Sequence, residues 1–175
     1  MKKTLAALVV AVLPFTLSSC GSNEDAEASK ALSASIMKSQ KESDNASQFF
    51  SLKQKDADCI GDGLVEKIGT DQLKEYKLLT DDLKANKDVT STKISTDDAE
   101  SATDVLFECT DVPGMMQKAV ADTGQIPAAM KDCVNKALNE DNLRSMFTKV
   151  FSGKEQEAQK ELIQPMMKCG MGSGG

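Results

Sequence analysis

From residue 49 onward, apolar residues recur every three to four positions, which is the spacing of one helix face. No stretch alternates apolar and polar residues persistently, so the pattern predicts no β-sheet. Between residues 50 and 124 it predicts four helices, at about residues 52–68, 70–79, 95–109 and 111–124. Gly69 and Gly124 end two of them, because glycine favours the backbone conformation that terminates a helix. The polar residues 80–95 predict a loop.

Polar residues support several helix starts. Ser51 and Gln54 have the spacing of a capping box, in which each side chain satisfies a backbone N–H of the first turn. Ser152 and Glu155 have the same spacing, and Ser95 opens the helix that ends near Cys109.

Two glycines interrupt the first of these helices. Gly61 and Gly63 each weaken a helix by about 1 kcal/mol relative to alanine. Tertiary packing must therefore hold this segment in place.

The preceding segment, residues 20–48, is mostly small and polar. Its beginning, residues 21–29, has the composition of a flexible stalk. Leu32, Ile36 and Met37 form one weak apolar stripe, which predicts a short helix over residues 26–42.

The second half of the chain repeats the first. Leu52, Asp58, Cys59, Ile60 and Leu64 correspond to Ile126, Asp132, Cys133, Val134 and Leu138, 74 positions later. Asp71 and Leu73 correspond to Asp141 and Leu143 at a spacing of 70, and residues 106–109 correspond to 166–169 at a spacing of 60. The pattern predicts an all-α fold of about six helices, in two similar disulfide-stapled three-helix units behind the stalk. The units cover about residues 50–111 and 125–170 of one domain, 49–170, and a glycine-rich tail follows at 171–175.

The first nineteen residues have the organisation of a secretory signal. Two lysines precede an apolar run, residues 5–13, that is shorter than the ~20 residues needed to span a bilayer as a helix. The run leads to Leu17-Ser18-Ser19-Cys20, which resembles the lipobox of bacterial lipoproteins. The resemblance implies that residues 1–19 are removed and that the Cys20 thiol receives a diacylglycerol. Two or three acyl chains, such as palmitate, would then anchor the exported protein at the outer face of a bacterial membrane.

With Cys20 assigned to lipid, four cysteines remain, and an even number outside the cytoplasm predicts disulfides. Loop entropy does not choose among the three possible connectivities, because it depends only logarithmically on loop length. The repeat favours pairing within each unit, Cys59 with Cys109 and Cys133 with Cys169. Over about residues 50–170 the chain also loosely resembles uncharacterised helical lipoproteins of actinobacteria with paired cysteines. That resemblance implies no catalytic residues.

Composition then excludes several classes of function. The chain has 175 residues, with 27 acidic and 21 basic side chains and a net charge of −6, which disfavours nucleic acid as a partner. It has no histidine, which removes the usual general base and a common metal ligand. It also has no tryptophan and a single tyrosine, so few rings can stack on sugars or bases. We therefore expect neither an enzyme nor a bound cofactor or metal.

Two patterns resemble metal sites but have simpler explanations. Met166, Met167 and Met171 flank Cys169 and could ligate Cu(I), although methionines at helical spacing also fill gaps in a core. Residues 56–61 faintly resemble a calcium loop but lack its third oxygen ligand and its final glutamate.

Adjacent carboxylates are the remaining candidates for catalysis. Asp81 with Asp82, or Asp97 with Asp98, could serve a hydrolase. A carboxylate pair at a helix start is also explained by the helix dipole. We therefore expect a non-enzymatic envelope lipoprotein that binds or scaffolds an envelope protein or a small apolar ligand. The alternatives are a carboxylate-dependent envelope hydrolase and a passive structural lipoprotein.

Overall fold

The computed structural model describes residues 23–42, 52–86, 93–122 and 127–171. Within these ranges the chain forms eight α-helices and no β-strand, so the prediction of an all-α fold is confirmed. The helices are α1 (Asn23–Glu42), α2 (Gln54–Ile68), α3 (Thr70–Glu75), α4 (Thr96–Cys109), α5 (Val112–Asp122), α6 (Ala128–Ala137), α7 (Glu140–Phe151) and α8 (Glu155–Met171). The signal segment 1–19, Cys20, Ser51, Gly124 and residues 172–175 lie outside the described residues.

The expected number of about six helices is too low, because the described ranges contain eight, α1 and α5 among them. The positions that correspond between the two halves of the sequence lie mainly in α2, α3 and α4 and in α6, α7 and α8. Helix α1 precedes both sets, and α5 connects them.

The flexible stalk expected over residues 21–29 is helical from Asn23 onward. Ala28 is fully buried, and Ser29 and Ser33 are buried beside it. Small side chains on this face let α1 approach α2 closely, and the two serine hydroxyls donate to Asp62 and Asp58 of α2. The helix predicted over residues 26–42 is present and begins three residues earlier, so polar composition misidentified only its first turns as a stalk.

Two of the expected helix starts differ from the structure. Helix α2 begins at Gln54, where the Lys53 N–H donates to the Asp56 carboxylate over 3.0 Å. The Ser152 hydroxyl donates to the Thr148 carbonyl over 2.8 Å, so it closes α7 and does not cap α8. The Ser95 cap is confirmed, because its hydroxyl accepts the Asp98 N–H over 3.1 Å.

The helix expected over residues 70–79 is shorter, since α3 ends at Glu75. Leu79 and Ala85 then form an isolated antiparallel bridge. The described parts of the expected loop, residues 80–86 and 93–95, are not helical.

Two disulfides tie the helices together. Cys59 of α2 is bonded to Cys109 of α4, and Cys133 of α6 is bonded to Cys169 of α8, each with a Cα–Cα distance of 5.6 Å. These are the pairs that the repeat favours. Each disulfide joins the first and third helix of a set of three.

The two halves of the protein meet along α4 and α7. Thr103 of α4 and Thr148 of α7 share a hydrogen bond of 3.0 Å. The Arg144 guanidinium of α7 donates to Asp104 over 2.7 Å and lies 4.5 Å from the centre of the Phe107 ring. Helix α4 thus packs against α2 on one side and α7 on the other.

Candidate ligand-binding cavity

An apolar cavity of about 790 Å³ lies between α1, α2, α4, the end of α7 and the segment before α4. This volume falls within the range of ~300–1,000 Å³ that is usual for small-molecule sites. Its main walls are aliphatic side chains from two helices. They are Ile60, Leu64 and Ile68 of α2, with Ala102 and Leu106 of α4.

The sequence of α2 explains this wall. Ile60, Leu64 and Ile68 are four residues apart, so they form one row along the helix. Gly63 lies against α4, where an added Cβ would be 2.7 Å from a methyl group of Val105. The glycine therefore allows the two helices to pack closely beside the cavity, and the Cys59–Cys109 disulfide fixes their pairing.

The rim of the cavity carries both of its charged lining residues. Lys93 and Glu155 are exposed and line the same opening as Gly153. The Ile94 N–H donates to the Phe151 carbonyl over 3.2 Å, which holds the segment containing Lys93 against the end of α7.

Gly153 shapes this rim by ending α7. Its φ of 72° is in the left-handed region that favours glycine. The Lys154 N–H bonds the Lys149 carbonyl and the Gly153 N–H bonds the Val150 carbonyl, which together form a Schellman motif. The aliphatic stem of Lys93 lies where a Cβ on Gly153 would be, so the tight turn also positions the lysine.

The carboxylates considered for catalysis are not among the residues that line this cavity. Asp98 accepts hydrogen bonds from the Tyr76 hydroxyl over 2.6 Å and from the Ser95 hydroxyl over 2.8 Å. These contacts tie the start of α4 to the turn after α3. Asp81, Asp82 and Asp97 are exposed.

Two of the residues considered for metal binding contribute to the fold, one at a helix cap and one in the core. Asp56 caps α2, and Met166 packs against the core around Val134 and Cys169. In the described ranges, no three His, Cys, Asp or Glu side chains cluster as a metal site would require.

Electrostatic interactions concentrate where helices meet rather than in the cavity wall. The Ser33 hydroxyl and the Gln54 amide donate to Asp58, and these bonds lower the pKa of its carboxyl group. The Lys149 ammonium likewise lowers the pKa of Glu161 by hydrogen bonding. A hydrogen bond from Lys74 to Glu24 raises the pKa of that lysine.

A second, smaller cavity of about 320 Å³ lies between α5 and α6. Its lining includes Lys118 and Lys131, both of which are exposed. It offers less apolar surface than the first cavity and no comparable row of aliphatic side chains.

The sequence suggested an apolar ligand between helices, but it did not locate the cavity or single out Lys93 and Glu155. The spacing of Ile60, Leu64 and Ile68 predicted a helix face but not that the face would remain partly uncovered. The four cysteines lie away from the cavity lining, as disulfides, and Cys20 is outside the described residues.

Comparisons with protein-family models, curated proteins and solved structures found no match. None of the helices in the described ranges combines the length and apolar character needed to cross a membrane.

Proposed function

We propose that this protein is a non-enzymatic lipoprotein of the bacterial envelope that binds a small apolar ligand in the cavity between α2 and α4. The proposal is supported by the cavity, which combines aliphatic walls with a charged rim. Each methylene group transferred from water into such walls contributes about 0.8 kcal/mol. An apolar ligand would therefore be held chiefly by burial.

Binding can be tested with an apolar fluorescent probe, N-phenyl-1-naphthylamine, and the full chain carrying Cys20→Ser to prevent acylation. Val150 lines the cavity opening and is 39% exposed, so Val150→Trp should obstruct the site without disturbing the core. Ile163 is 48% exposed on α8 and does not line the cavity, which makes Ile163→Trp the matched control. We expect the first variant to lose at least tenfold in probe affinity and the second to keep it. Equal affinity in both variants would contradict this site.

The proposed anchor is Cys20, supported by the lipobox resemblance of residues 17–20. The native protein should partition into detergent, and its N-terminal peptide should carry acyl mass on this cysteine. Cys20→Ala should accumulate as an unlipidated precursor. A freely soluble mature chain with an unmodified Cys20 would rule the anchor out.

The absence of catalysis is part of the same proposal. Its support is that Asp98 is engaged by Tyr76 and Ser95 and that the chain has no histidine. Single replacements of the exposed Asp81, Asp82 and Asp97 by Asn should give small, graded effects in a cell-based assay. A thousandfold loss from one replacement in a folded protein would indicate an enzyme instead.

We further propose that α2–α4 and α6–α8 are two copies of one structural unit. The support is that each disulfide joins equivalent helices, α2 to α4 and α6 to α8. The copies have diverged in their middle helix, since α3 has 6 residues and α7 has 12.

A further inference from the structure

We infer that the ligand is a single-chain amphiphile whose head group is zwitterionic, carrying one phosphate and one amine, as a lysophospholipid does. The inference rests on the proposed function, because it assigns a chemical class to the ligand of the same cavity. Two independent features of the cavity support this inference, its aliphatic walls and its charged rim. The walls select the chain, and the rim selects the head group.

The walls favour one flexible aliphatic chain. Ile60 and Ile68 are eight residues apart on α2, so their row extends over roughly 12 Å. Phe151 is the single aromatic residue among the described residues of the lining. Apart from the rim, this lining presents no polar side chain. A ligand with polar atoms along its length would bury them without hydrogen-bond partners, which costs binding free energy. A hydrocarbon chain has no polar atoms and avoids this cost.

The rim favours a head group with both charges. Lys93 and Glu155 have opposite signs and line one opening, yet neither forms an ion pair with any residue in the described ranges. The stem of Lys93 rests on Gly153, and Glu155 is the first residue of α8. Both charged side chains are exposed at the mouth of the cavity, where a ligand can reach them.

Singly charged head groups fit this rim less well. An anionic amphiphile would meet Lys93 but also Glu155, and it would approach a chain of net charge −6. A cationic amphiphile would be attracted by Glu155 and by the acidic chain, but it would be repelled by Lys93 and would leave that ammonium group without a partner. A zwitterion can place its phosphate near the lysine and its amine near the glutamate, so that each charge gains a partner.

The test uses the full chain carrying Cys20→Ser and four amphiphiles with the same acyl chain, all below their micelle concentrations. They are a lysophosphatidylethanolamine, a lysophosphatidylglycerol, a monoacylglycerol and an alkylamine. Displacement of N-phenyl-1-naphthylamine reports affinity. We expect the zwitterion to bind tightest, by roughly two- to fivefold for each charge contact relative to the neutral monoacylglycerol.

Rim variants then separate the two charges. Lys93→Gln should lower the affinity for the two phosphate-bearing lipids relative to the monoacylglycerol, and Glu155→Gln should narrow the difference in affinity between the zwitterionic and the anionic lipid. The controls are Lys118→Gln and Glu157→Gln, which change exposed residues outside the rim and should alter nothing.

The outcomes distinguish this inference from the proposed function. Equal affinity for all four head groups, with Val150→Trp still blocking binding, would overturn the head-group assignment and leave the cavity as an apolar site. Tightest binding of the anionic lipid or of the alkylamine would also overturn it. Failure of every amphiphile and of the probe to bind would overturn the proposed function itself.

Discussion

Gly61 brings two helices into close contact. A Cβ at this position would lie 2.6 Å from the Ser29 carbonyl oxygen of α1, which is part of the backbone and cannot rotate away. The cost of a glycine inside α2 is therefore offset by the close approach of α1. This contact also brings Ser29 and Ser33 within hydrogen-bond distance of Asp62 and Asp58.

Gly61→Ala should lower the free energy of unfolding by about 1–2 kcal/mol. Forcing α1 outward costs ~1–3 kcal/mol, and the better helix propensity of alanine recovers ~0.5–1 kcal/mol. Urea unfolding followed by circular dichroism, with disulfides intact, measures the difference. Gly170→Ala is the control, because the nearest atom to its Cβ would be a Met130 methyl carbon at 3.9 Å. If Gly61→Ala were as stable as this control, the close approach of α1 would be wrong.

Ser33→Ala should raise the pKa of Asp58 towards 3.8, because the serine hydroxyl is the main group that stabilises the ionised carboxylate. A carboxyl titration by NMR measures this pKa. Ser95→Ala, at the start of α4, should leave it unchanged.

The same bonds make stability depend on pH. The folded-state pKa of Asp58 is lowered, so its contribution is fully present above pH 3.8 and is lost as the pH falls through the folded value. The stability advantage of the wild type over Asp58→Asn should therefore be constant near neutral pH and should shrink below about pH 4. A constant difference down to pH 2 would contradict this linkage.

Among the elements, the disulfide between α2 and α4 is closest to the proposed site. The two disulfides close loops of 50 and 36 residues, for which chain entropy predicts nearly equal stabilisation of about 4 kcal/mol each. Their removal should therefore cost similar stability but differ in its effect on binding.

Replacing Cys59 and Cys109 by serine should weaken probe binding severalfold, because α2 and α4 form the main walls of the cavity. Replacing Cys133 and Cys169 is the matched control, since it removes a comparable constraint from α6 and α8. Both variants are compared by calorimetric unfolding and by probe titration. Equal loss of affinity in the two variants would argue against the cavity as the binding site.

Peptide mapping checks the pairing directly. Without reduction, tryptic peptide 56–67 should remain joined to 94–118, and peptide 132–136 to 169–175. A peptide joining 56–67 to 132–136 would exclude this pairing.

Some elements of the fold could be predicted from the sequence better than others, for physical reasons. Helix α4 could be predicted from its Ser95 cap and its apolar face, because both features can be recognised within a short stretch of sequence. The burial of helix α1 was underestimated, because Ala28, Ser29 and Ser33 are small and add little to the hydrophobic pattern of the sequence. Only their packing against α2 shows that they belong to a buried helix face. The cavity could not be foreseen, because it depends on how far apart packed helices stand. That distance is set by contacts such as Gly63 with Val105.

At the scale of the whole molecule, Arg144 joins the two halves. It is the single arginine of the chain, and it bonds Asp104 and Glu140 while covering the Phe107 ring. Phe107 in turn packs edge-on against Phe147 of α7, with ring centres 6.1 Å apart.

Arg144→Ala should destabilise the protein by about 1–2 kcal/mol, through loss of partly exposed ion pairs and of the cation–π contact. Arg144→Lys should recover only part of this, because an ammonium cannot bond both carboxylates with a planar fork. Thermal unfolding at low and high salt measures both variants. Identical stability of Arg144→Ala and wild type would show that the halves are held by other contacts.

If Cys20 carries the proposed anchor, the start of α1 at Asn23 limits how far the protein can reach from the membrane. Under the proposed attachment, Cys20 lies only three residues before the helix, which corresponds to about 10 Å of extended chain. The 20-residue helix α1 adds about 30 Å of length. A tether of this length would keep the domain close to the anchoring membrane and would not let it cross the envelope. With this anchor, we would expect the protein to exchange its proposed ligand only with molecules in, or just above, the leaflet that holds Cys20.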